Sequence, residues 1–165
     1  MDWRRNMDKE EIREYTARVA QANRTELVVI IYELIIDAVK EGEMCYNEGN
    51  PEAGAEKIKK AQLYLQELKG SLDFQYEVSG QLYRLYRYAN EQLIATTVRQ
   101  KPVNLDAVCR MMQQLMDSFA EIAKQDTSKA VMQNSQQVYA GLTYGPGAKE
   151  AVFTEGAEGS RGFQA

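Results

Sequence analysis

Side chains able to do acid–base, nucleophilic or metal chemistry are few in this sequence and badly spaced for it. Its 165 residues include no histidine, which removes Ser-His and Cys-His nucleophile pairs, HExxH zinc sites and the Glu-x-x-His ligands of di-iron bundles. Glu33 with Asp37, and Glu52 with Glu56, share a helix face at i, i+4. Lacking an imidazole or a third converging ligand, they read as surface or partner-facing charges, so no metal site and no cofactor are expected. The two cysteines, Cys45 and Cys109, are far apart and form no CxxC. They read as small buried hydrophobes in a reducing cytosol. The run Tyr144-Gly145-Pro146-Gly147-Ala148-Lys149-Glu150 imitates a phosphate loop but carries Glu where GxGxxG needs Gly, and no strand precedes it.

One histidine-free chemistry remains, the chorismate-mutase type, in which inward Arg and Lys of a helical bundle stabilise a dianionic transition state. The apolar stripes argue against it, because Lys57, Lys59, Lys60, Arg84, Arg87 and Arg110 all fall off them. The expectation is therefore a protein that is not an enzyme. Binding residues stand out instead: Tyr76, Tyr83, Tyr86 and Tyr88 are four of ten tyrosines, gathered within 13 residues. Tyrosine offers large amphipathic contact area at low entropy cost, and one helix face cannot bury all four. Tyr86 is assigned to the core. Tyr83, with Tyr76 one heptad earlier, suits a groove that accepts another helix. Leu82 and Ile94 on the same segment, and Met112 and Met116 on a later one, complete the candidate partner-binding set; methionine supplies adaptable apolar surface.

These residues sit on strongly periodic segments. Ile58, Ala61, Leu65, Leu68 and Leu72 step by three and four, as do Leu105, Val108, Met112, Leu115, Phe119 and Ile122. Leu82, Leu85, Tyr86, Ala89 and Leu93 keep a similar rhythm, while Leu27 to Val39 is apolar nearly all round and is expected to be the most buried. Asn23 with Glu26 has capping-box spacing, Asn50-Pro51 places a cap before a first-turn proline, and Asn104 with Asp106 comes after Pro102. Helices are predicted over 24–48, 51–71, 77–98 and 104–124, and their short connections imply antiparallel neighbours. The expected fold is all-α: an antiparallel up-down four-helix bundle over 24–124, an N-terminal segment 1–23 with weak periodicity through Ile12, Tyr15 and Val19, and a disordered tail over 125–165. Within that tail Val138 to Gly145 forms an apolar cluster that reads either as a docking motif or as a solvated Tyr/Gly run.

Net charge is -4 with 20 basic and 24 acidic residues, and no basic run offers a nucleic-acid footprint. The stretch Leu27–Val39 is short of the roughly 20 apolar residues of a membrane span. Met1 to Glu11 lacks the apolar core of a signal peptide. Nucleic acid and membrane insertion are not expected; a cytoplasmic location is.

The run Leu72-Asp73-Phe74-Gln75-Tyr76-Glu77-Val78-Ser79-Gly80-Gln81-Leu82-Tyr83-Arg84-Leu85-Tyr86-Arg87-Tyr88 resembles a motif of the FliS-type flagellin-specific export chaperones: LD, a short polar stretch, then E-I/V-S/A-x-x-L-x-x-L-Y-x-Y. Val19-Ala20-Gln21-Ala22-Asn23-Arg24-Thr25-Glu26-Leu27, with Ile31-Tyr32 beyond it, is similar to the family's V-x-T-A-S-P-x-x-L with a later L/I-Y. Arg24 stands where the family usually has proline and Gln21 where it has threonine. Tyr15 resembles the tyrosine of the family's N-terminal segment, one residue closer to Val19. The resemblance spans roughly residues 15–123. It implies a cytoplasmic bundle that binds the C-terminal segment of flagellin, prevents premature polymerisation and delivers the subunit to the flagellar type III export apparatus. It also implies that Tyr15 and Val19 form a displaceable cap, and it admits an export-gate component or a regulator as a further partner, and a homodimer. The alternative is a non-catalytic helical regulator or scaffold for another partner.

Overall fold

The computed structural model describes residues 9–132, which form five α-helices and, among the described residues, no strand. They are α1 (Lys9–Gln21), α2 (Arg24–Asn47), α3 (Pro51–Gly70), α4 (Glu77–Arg99) and α5 (Leu105–Gln125). The count exceeds the expected four because the N-terminal segment is itself a 13-residue helix, although none of its residues is buried. A helix that short is marginal alone, so contacts with α2 must sustain it. Most of the expected tail, with Val138–Gly145, lies outside the described residues.

Helix ends obey local chemistry. Asn23 and Glu26 form a full capping box: the Asn23 side-chain oxygen accepts from the Glu26 amide at 2.9 Å, and the Asn23 amide donates to the Glu26 carboxylate at 3.0 Å. Asn50 accepts from the Ala53 amide at 3.2 Å, with Pro51 in the first turn. Asn104 departs from expectation. It adopts a left-handed backbone (φ 51°) with no side-chain cap bond, and its side-chain amide donates instead to Gln92 at 2.8 Å. The α4–α5 turn is held from α4 as well, where the Thr96 hydroxyl accepts from the Val103 amide at 3.0 Å.

α2 is the central element, with nine buried residues. Tyr32, Ile35 and Val39 meet Ile58, Ala61 and Leu65 of α3, Tyr86, Ala89 and Leu93 of α4, and Leu105, Val108 and Met112 of α5 in one core cluster. Burying each large apolar side chain contributes roughly 1.5–3 kcal/mol. Inside this core the hydroxyls of Tyr32 and Tyr86 hydrogen-bond to each other, so neither is left unpaired. Two glycines let α2 and α3 approach closely. A Cβ on Gly42 would lie 2.9 Å from the Ile58 side chain, and one on Gly54 would lie 2.8 Å from the Tyr46 ring.

Candidate functional site

α4 turns one face to the core through Ser79, Leu82, Tyr86, Ala89, Leu93 and Thr96. At 100° per residue, Tyr83, Ile94 and Val98 then fall on a flank that the core does not cover. Tyr76 at the α4 N-cap is 65% exposed, Tyr83 42% and Ile94 46%, three candidates that align along this flank. Val98 and Phe74 extend it, Phe74 meeting the Tyr83 ring edge-on at 5.8 Å. Sequence reasoning passed over both, although Ile94 to Val98 is an i, i+4 step. The Arg87–Glu91 ion pair at 3.1 Å lies on the same flank between Tyr83 and Ile94 and divides it, and Val78, Leu85 and Tyr88 leave further apolar surface on the opposite side of α4.

The remaining partner-binding candidates lie elsewhere. Leu82 is 8% exposed and Met112 fully buried. Both belong to the packed core, so they hold the platform together and cannot be reached by a partner: a correction to their expected role. Met116 is partly buried against the core. It sits seven residues from Cys109 and four from Ala120, which line cavities next to α2, so helical spacing turns it away from α4.

The expected cap residues Tyr15 and Val19 are half-buried on α1. The guanidinium of Arg18 forks onto Glu33 of α2 with bonds of 2.8 and 2.9 Å and lies 5.5 Å over the Tyr15 ring. On one side of this clamp is a cavity of about 350 Å³ lined by Tyr15, Leu34, Asp37, Ala38, Lys60 and Tyr64 among others. On the other is one of about 400 Å³ that reaches Ala120, Ala123 and Lys124 of α5. α1 thus covers faces of α2, α3 and α5, and no α4 residue lines either cavity; α1 and the tyrosine flank are separate surfaces.

The seam under α1 is electrostatically uneven. Burial, then the nearby carboxylates Glu41 and Glu33, push the Asp37 carboxyl above its ordinary range, while Lys40 and the facing Tyr15 hydroxyl oppose the shift. Burial, followed by the charges of Asp37 and Glu33, raises Tyr15 as well. Burial also pushes up the thiols of Cys45 and Cys109, which leaves them little thiolate for nucleophilic work. Among the described residues no group of three or more His, Cys, Asp or Glu is placed to hold a metal ion, and no helix is long and apolar enough to cross a membrane.

Comparison with known proteins gives a family and a fold. The family model described as flagellar protein FliS matches residues 8–126. A solved structure described as a flagellar chaperone from bacteria aligns with a TM-score of 0.59 at 20% identity, covering 70% of this chain and 99% of the other. No curated protein matches significantly.

Proposed function

The chain belongs to the FliS family of flagellar proteins, and from that premise we propose that it is a cytoplasmic, non-catalytic chaperone for flagellin. In this reading it binds the C-terminal segment of flagellin, keeps the subunit from polymerising early and delivers it to the flagellar type III export apparatus. Helices α2–α5 act as an antiparallel four-helix platform, and α1 is a cap that the client displaces. The likeness in fold to a flagellar chaperone supports the reading.

The observation that carries it is the uncovered apolar flank of α4, where Phe74, Tyr76, Tyr83, Ile94 and Val98 stand exposed next to a well-packed core. Isolated exposed apolar residues are ordinary, whereas residues gathered on one side of an element, here Phe74, Tyr76 and Tyr83 before the Arg87–Glu91 pair and Ile94 and Val98 after it, suit a docking surface. An amphipathic client helix can lay its apolar face along such a surface. Release of α1 would uncover a second surface at Leu34 and Ala38, giving an extended client two places to fold. Ordering a disordered client costs on the order of 2–5 kcal/mol, so an interface burying about 1,000–3,000 Å² is expected.

The test is calorimetric titration with the last ~40 residues of flagellin from the same organism, long enough for two helices at about 1.5 Å per residue. Submicromolar one-to-one binding with a large negative heat-capacity change is expected. Tyr83→Ala should weaken it by about 1–3 kcal/mol, the range of an interface aromatic, with the melting curve nearly unchanged. No binding of this segment or of full-length monomeric flagellin would overturn the assignment.

A further inference from the structure

The trough between α1, α2 and α5 has an apolar floor of Ala22, Val29, Ile30, Ala120 and Ala123, and charged edges. The chain leads itself there. Beyond α5, the Thr25 hydroxyl donates to the Asp126 carboxylate at 2.6 Å, and the Asn23 side-chain amide donates to the Asp126 carbonyl at 3.3 Å. The Val131 amide then donates to the carbonyl of Ala22 at 3.2 Å, and Ala130 is buried. Met132 is therefore tethered next to Ala22, itself part of the trough, and 33 residues lie beyond it in the chain.

The segment after Met132 is chemically suited to an apolar site. Residues 132–148 carry no charged side chain, and the apolar cluster Val138–Tyr144 begins six residues after Met132, within about 20 Å of extended chain at roughly 3.3–3.6 Å per residue. The space of about 400 Å³ equals that of on the order of a dozen waters at about 30 Å³ each. A few side chains fit in it. A short tether also raises the local concentration of the segment to the millimolar range, so it outcompetes dilute external peptides of similar composition.

We propose that the chain's own segment 138–144 docks in the α1–α2–α5 trough as an intramolecular occupant, filling the space that α1 leaves and bracing α1 against α2. The C-terminal region is then a second latch on the same helix that Arg18 clamps, and anything that pulls the tail away loosens α1.

The test uses the full chain without any client, so its outcome is independent of the flagellin assignment. A p-benzoylphenylalanine at position 139 is irradiated in dilute protein, and intramolecular cross-links are expected on peptides containing Val29 and Ile30 or Ala120 and Ala123. Truncation after Met132 should speed amide exchange in residues 18–30 about tenfold, a local-opening effect. The full-length double variant Val138→Asp with Leu142→Asp should do the same, guarding against an artefact of shortening. Cross-links on the Tyr83–Val98 flank, cross-links only between chains, or exchange unchanged in both variants would each overturn the proposal.

Discussion

The α2–α3 seam and the α1–α2 seam share a helix and hold it by opposite means. Between α2 and α3 the contact is apolar and close, with Val39, Ile58 and Ala61 fully buried and glycines where the backbones approach. Between α1 and α2 it is a charged fork flanked by two cavities, and no α1 residue is buried. Close apolar packing is lost only with the whole fold, whereas an exposed ion pair contributes about 0–1 kcal/mol and can open alone. The difference predicts that α1 opens more readily than the α2–α3 pair.

The contrast is most exposed to test in the core. Ile58→Ala removes a fully buried side chain where α3 packs against Gly42 of α2 and should cost about 2–5 kcal/mol in urea unfolding. A loss under about 1 kcal/mol would mean that this seam is no tighter than that of α1. Next comes Tyr32→Phe, which strands the buried Tyr86 hydroxyl. It should cost about 1–3 kcal/mol, and Tyr32→Phe with Tyr86→Phe together should recover part of that because neither partner is then left unpaired. A double variant as unstable as the sum of the singles would show that the hydroxyls do not act as a pair.

At the other seam, Arg18→Ala should shift global stability by no more than about 1 kcal/mol while amide exchange in α1 accelerates and α2–α3 protection stays constant. A global loss as large as that of Ile58→Ala would place α1 in the cooperative core and erase the contrast.

The two seams were also unequally legible. The ends of α2 and α3 can be read from Asn23, Glu26, Asn50 and Pro51, since capping is local chemistry written in adjacent residues. Helical spacing identified the face on which Leu82 and Met112 lie, but not their depth: a stripe position and a groove position share the same period. The Arg18–Glu33 fork and the Thr25–Asp126 bond join residues 15 and 101 apart in sequence, and such polar contacts leave no periodic trace. α1 carries few large apolar residues, and none of its side chains is buried, so its docking on α2 could not be read from a core stripe.

The smallest effects separate two carboxylates near α1. Hydrogen bonds from Ser128, then from Thr25, hold Asp126 down at about 2. Its folded pKa lies below its unfolded one, so its contribution is complete above the ordinary carboxylate range and is lost as pH falls through about 2. Asp37 runs the other way. Its raised pKa means that the folded state favours the protonated form, so a penalty present at neutral pH disappears as pH falls through that raised value. Tyr15, Arg18, Glu33, Lys40, Glu41 and Lys60 face the same space, so the profile must be compared with that of Asp37→Asn rather than taken alone. The expected outcome is slower intrinsic-rate-corrected exchange of α1 on lowering the pH from neutral in the parent chain, and a flatter, already slow profile in Asp37→Asn. Identical profiles would assign the pH response to other groups of the seam and leave the Arg18 fork as the electrostatic control of α1.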